Sequence, residues 1–129
     1  MNAALIAESL EVVVARCGDP APIVYARLFA AQPDVEALFV RDKSGIVSGQ
    51  MLAVTIEALL DYAGDNAYAA NLLQSERVNH DGLGVPLAAF DSFFHILLET
   101  MRELAGEEWT PAMDAAWRNS IAGLTAASA

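Results

Sequence analysis

The sequence predicts an all-α domain, and three observations lead there. Alanine, the strongest helix former, supplies 25 of the 129 residues. Apolar residues recur three to four positions apart in segment after segment, as on one face of a helix. No stretch alternates apolar and polar side chains in the way a half-buried strand does. The length fits one domain over residues 1–129, with no internal repeat and no low-complexity linker.

The elements follow in order. Residues 3–16 carry Leu5, Ile6, Leu10, Val13 and Val14 at helical spacing, and Gly18 can close that helix. Asp19-Pro20 opens a second helix over 21–32, with Ile23, Val24 and Leu28 on its apolar side. Pro33 starts a short helical turn, 34–39, ending at Phe39, and Arg41-Asp42-Lys43-Ser44-Gly45 reads as a loop. Residues 46–63 form a long periodic stretch through Leu52, Ile56 and Leu59 that Gly64-Asp65-Asn66 breaks. A less regular helix covers 67–80 and stops at Gly82 and Gly84. Pro86 opens the next, strongly apolar through Phe90, Phe93, Phe94, Leu97, Leu98 and Met101, and Gly106 closes it. Thr110-Pro111 is a hydroxyl cap followed by proline at the first helical position, with Asp114 near the positive end of the dipole, so the last helix runs from 111 to about 124. Six or seven helices of unequal length do not make a regular four-helix bundle.

Charge and cysteine content narrow the function. Aspartate and glutamate outnumber lysine and arginine 17 to 7, a net charge of −10. That balance argues against nucleic acid and against an anionic membrane surface, both of which need a basic face. The single cysteine, Cys17, has no internal disulfide partner and is read as a buried, inert thiol. The first residues lack a basic region and Glu8 interrupts the apolar run, so no signal peptide is expected. No run of about 18 apolar residues is read as a membrane span, and the expected compartment is the cytoplasm.

Three markers stand in order along the chain. The first is Tyr25-Ala26-Arg27-Leu28-Phe29 with Pro33 and Phe39. The second is Val78-Asn79-His80 with Gly84-Val85 and Phe90, and the third is Trp109-Thr110-Pro111 with Ala116-Trp117. In this order and spacing the chain resembles the globins, most of all the single-domain bacterial haemoglobins and the haem domain of flavohaemoglobins. The resemblance covers nearly the whole chain. It implies the globin fold, helices packed around a haem pocket, with haem b and its iron as cofactor.

By this resemblance His80 is the proximal iron ligand, the one metal-ligating residue, and Tyr25 is the distal donor. A neutral imidazole can ligate through one nitrogen and hold an acceptor with the other. A phenol offers a single donor that can point at a bound gas. Phe39 would pack flat against the porphyrin, and Val85 and Phe90 would belong to the cofactor site. Phe90 stands where flavohaemoglobins often carry a tyrosine. That tyrosine works with a glutamate late in the last helix, which this chain is expected to lack, so a less activated proximal side is expected.

The distal segment, 46–56, fits two registers. The favoured one turns Ser48 toward the ligand, makes Gly49 the small residue at a close helix crossing, and sets Leu52 above the iron, with Ile56 and Leu59 inward. The rival puts Met51 and Thr55 over the haem. Neither offers a distal histidine, and Gln50 is a second candidate donor. His95 is read as a core or helix-packing histidine, and Trp109 and Trp117 as core. Arg41, Lys43 and Arg77 could meet haem propionates or lie solvated, and Glu107-Glu108 is read as solvated charge.

The implied function is binding of a diatomic gas, oxygen and also nitric oxide, at a His-ligated iron. It would serve oxygen binding and delivery, or nitric oxide detoxification as a dioxygenase. No flavin or nicotinamide domain is expected in 129 residues, so turnover calls for an external reductase. The chain is expected to be a monomer or a homodimer. The alternative is a haem-free globin-fold interaction or sensor module, against which the presence of both His80 and Tyr25 counts.

Overall fold

The computed structural model describes residues 2–129. Its helices are α1 (Asn2–Cys17), α2 (Ala21–Ala31), α3 (Pro33–Glu36), α4 (Ile46–Ala63), α5 (Ala69–Gly82), α6 (Leu87–Ala105) and α7 (Pro111–Ala127). Short 3-10 turns, Ala37–Phe39 and Gly106–Glu108, extend α3 and α6. There is no strand among the described residues. The punctuation acts as the sequence predicts. Gly18, at φ 73°, ends α1 in the left-handed region that favours glycine. Thr110 Oγ1 accepts the Met113 N–H at 3.1 Å and starts α7.

The core lies where α1, α6 and α7 meet. Ile6 and Val13 of α1, Leu97, Leu98 and Met101 of α6, and Trp117 and Leu124 of α7 are almost wholly buried. Trp117 has no exposed surface, and its indole N–H donates to Ser9 Oγ at 2.8 Å. Ser9 in turn donates to the Ile6 carbonyl at 2.6 Å. The Trp117 N–H and Ser9 hydroxyl are thus both paired, as burial demands. Trp109 lies half-buried beside it, 6.1 Å from Trp117 between ring centroids, with its N–H on Asp114.

The close helix crossing expected at Gly49 is elsewhere. Nothing lies within 4 Å of where a Cβ at Gly49 would stand. A Cβ at Gly123 of α7 would fall onto the Tyr62 ring of α4, so Gly123 is the small residue that lets these helices touch. Cys17 is exposed, not buried. It continues the Ile6, Ser9, Val13 stripe in register, but α1 has by then reached the end of α6, where Sγ meets only the Leu104 carbonyl at 4.0 Å.

One helix, α4, is long and apolar enough to cross a membrane by length and composition, which the sequence reading did not anticipate. Here α4 packs against α1, α2, α5 and α7. Much of its remaining apolar surface, including Val47 and Val54, faces a cavity rather than the core.

Asp61, in the last turn of α4, fixes where α5 begins. Its carboxylate accepts the N–H groups of Ala67, Tyr68 and Ala69 at 3.1, 3.0 and 2.8 Å. Desolvation pushes its pKa up, but the three donors outweigh that and hold the carboxyl below the usual aspartate range. A carboxyl depressed in the folded state adds stability above its unfolded pKa and loses it as pH falls through the folded value. Asp61→Asn should therefore melt below the wild type at neutral pH. The gap should close as the solution is acidified through the aspartate range, and thermal melts of both proteins across that range would measure it.

Candidate functional site

Helices α2, α4, α5 and α6 leave an apolar cavity of about 320 Å3 between them, a size at the lower end for small-ligand sites. Two residues on its wall carry polar groups of special interest.

The first is Tyr25. Ion pairing of Arg27 with Glu103 at 2.7 Å, and a Gln32 side-chain amide donating to Ser92 Oγ, hold α2 against α6. This presents Tyr25 to the cavity from among Phe39 and Phe93, each 5.6 Å away between ring centroids, and Phe29 at 6.1 Å. The ring is 4% exposed, and its hydroxyl is buried with no hydrogen-bond partner. Burial pushes the phenol far above its usual range, and the Asp42 carboxylate acts in the same sense. The hydroxyl therefore keeps its proton and is a donor. Buried donors left unpaired are costly and uncommon. One on a residue that lines a cavity fits a site whose ligand completes the bond.

The second is His80, in the last turn of α5. The turn that follows folds back on it: Leu83 and Val85 donate their N–H groups to the His80 carbonyl at 3.0 and 2.9 Å, with Gly84 at φ 88°. The imidazole Nδ1 lies 2.7 Å from the Glu76 carbonyl. A carbonyl only accepts, so Nδ1 carries a proton, and in the neutral ring Nε2 keeps the lone pair. Phe90 meets the ring edge-on at 5.0 Å between centroids, and Val85 and Phe90 both line the cavity.

These residues fit haem. Among the described residues no group of three or more His, Cys, Asp or Glu could hold a bare metal ion. A lone imidazole suits a metal whose other donors arrive with it, as the macrocycle provides in haem. The rest of the wall is mainly apolar, its other polar side chains being Gln50, Thr55 and Glu76, and His80 and Tyr25 bring to it an imidazole and a phenol whose hydroxyl has no partner.

The α4 wall departs from the favoured sequence register. Ser48 and Leu52 do not line the cavity; Gln50, Met51, Val54 and Thr55 do. The reason lies in the loop before α4. The Asp42 carboxylate accepts the Val47 and Ser48 N–H groups at 3.0 and 2.9 Å, and these bonds, that of Ser48 first, hold its carboxyl below the usual range. The Ser48 hydroxyl donates to the Gly45 carbonyl at 3.2 Å, so Ser48 belongs to the helix start. That anchor fixes the rotation of α4. Leu52 and Leu59, seven apart, then enter the core, and the cavity receives the stripe of Met51, Thr55 and Ala58. Phe39 does line the cavity, half-buried against Phe29 at 5.2 Å.

Arg77 is committed elsewhere: to Asp91 at 2.7 Å, to Ser128 Oγ at 3.1 Å and to the Thr125 carbonyl at 3.3 Å, with its guanidinium 5.3 Å from the Phe90 ring centre. Arg41 and Lys43 are exposed in the loop before α4. His95 is exposed, contrary to a core role, because it falls outside the buried stripe of Phe94, Leu97, Leu98 and Met101 on α6. The sequence reading passed over Glu76. It lines the cavity, and its carboxylate stands 3.5 Å from His80 Nδ1. Two titratable residues four apart on a helix were the available signal.

A search of curated proteins finds no match. The family model described as Globin matches residues 23–128, which takes in the cavity walls, Tyr25 and His80. With the all-α architecture and most of its length under that match, the chain belongs to the globin family.

Proposed function

We propose that this globin holds haem b in the cavity through His80 Nε2 and binds a diatomic gas, oxygen above all and nitric oxide as well. The observation that carries this reading is the pairing, on one apolar cavity, of a bare imidazole nitrogen at His80 with an unpartnered buried hydroxyl at Tyr25. Haem, when bound, supplies the iron that takes up the gas. The biological outcome we propose is oxygen binding or delivery, or conversion of nitric oxide to nitrate with electrons from an external reductase.

The chain's own residues have distinct tasks. The Glu76 carbonyl fixes the His80 tautomer and aims the ring. Tyr25 donates to a polar gas, a bond of about 1–3 kcal/mol in a buried setting. Its phenylalanine neighbours, with Met51 and Val54, keep water from competing for that donor. Gln50 and Thr55 are the polar side chains of α4 on the wall, and Thr55 Oγ1 is already donating to the Met51 carbonyl at 2.8 Å. Tyr25 therefore carries the polar role, with Gln50 as the second donor.

Freshly purified protein should show a Soret band. His80→Gly should lose it and regain it with added imidazole, which would replace the missing ligand; a full, unchanged spectrum in the variant would remove His80 from the role. A wild type without a Soret band after haem reconstitution would instead support the haem-free interaction module.

Tyr25→Phe should release oxygen faster, by roughly five- to 150-fold, the equivalent of about 1–3 kcal/mol. Carbon monoxide, less polar when bound, should respond less. Stopped-flow rates for both gases would separate loss of a donor from a change of shape.

Met51→Ala should alter gas-binding rates. Leu52→Ala should leave them near wild type while lowering stability by about 2–5 kcal/mol, as for a buried leucine. Flash photolysis and urea unfolding of the pair would read the register of α4 directly.

A further inference from the structure

Glu76 and His80 stand one turn apart on α5. Helical side chains lean toward the N-terminus, so the His80 ring lies back over Glu76. Its Nδ1–H donates to the Glu76 carbonyl at 2.7 Å, and Glu76 Oε2 lies 3.5 Å from the same nitrogen. One residue thus offers the imidazole both a neutral acceptor and a negative charge. Glu76 borders the cavity, and its carboxylate side chain is 37% exposed. The nearest cation in sequence does not cancel it, since Arg77 is bound to Asp91, Ser128 and Thr125. The ring also meets Phe90, whose side chain has no polar atom, 5.0 Å away between centroids.

We propose that the Glu76 carboxylate is a positioning residue that acts through His80. Its charge beside the Nδ1–H would strengthen electron donation from Nε2, so an iron held there would favour the oxidised state. The inference rests on the haem-binding reading above. It supplies a carboxylate on the proximal side from the histidine's own helix, where Phe90 offers none.

The test uses the full haem-loaded chain as wild type, E76Q and E76D. Two readouts report on the iron–imidazole bond rather than on folding: the ferric–ferrous midpoint by spectroelectrochemistry, and the iron–histidine stretch of the ferrous protein by resonance Raman. E76Q keeps the size and the backbone carbonyl but removes the charge. It should shift the equilibrium toward the ferrous form roughly tenfold, about 59 mV for one electron, and lower the stretching frequency. E76D keeps the charge on a shorter arm and should fall between the two. If E76Q fails to load haem, E76D carries the test, with a shift in the same direction expected. A wild-type midpoint and stretch in a haem-loaded variant would overturn the inference and leave the haem reading standing. A wild type that takes up no haem would overturn both.

Discussion

The hold of the Asp61 carboxylate on three successive backbone N–H groups decides where the rest of the site stands. Helix α5 begins at Ala69, immediately after the donors Ala67 and Tyr68, so its start is pinned to the last turn of α4. From that fixed start, three helical turns bring His80 to the cavity. A second aspartate, Asp42, does the same for the start of α4 through Val47 and Ser48. Two loops therefore set the placement and rotation of two cavity walls by charge-assisted hydrogen bonds, which are stronger and more directional than apolar packing.

The cavity is sustained by the packing around it and opposed by its own contents. Trp117, paired with Ser9, locks α1 to α7, and the Gly123–Tyr62 crossing brings α7 against α4. These contacts hold the helices in place without filling the space beside Tyr25. The cost is visible on the wall: an unpaired phenol, and apolar side chains such as Val47 and Val54 left about half exposed. The haem proposed above, flat and apolar with its iron toward His80, would relieve these costs and would stabilise the fold by binding its native state.

Differences between the two sides of the cavity follow from which groups are already satisfied. On the Tyr25 side the hydroxyl has no partner and its surroundings are aromatic. On the His80 side Nδ1 is occupied by Glu76, and Arg77 is drawn off to Asp91 and the end of α7. The charge nearest the imidazole is therefore negative.

The sequence by itself determined the helices and their punctuation, because Gly18, Thr110-Pro111 and the apolar periodicity act locally and need no partner. It also marked Tyr25, Phe39, His80, Val85 and Phe90, which stand in motifs whose spacing along the chain is distinctive, and all five line the cavity. It did not determine the rotation of α4. Both faces of that helix are apolar, so periodicity alone cannot say whether Leu52 or Met51 turns to the cavity. Only the tertiary structure decided it, through the Asp42 anchor at the helix start. The same holds for Cys17, which follows an apolar run, and His95, which lies within one, because their exposure depends on where α6 ends and which of its faces is covered. It holds for Glu76 too. Its i,i+4 spacing to His80 was on display, yet a carboxylate becomes part of a site only when the fold brings the ring, the carbonyl and the cavity wall to one place.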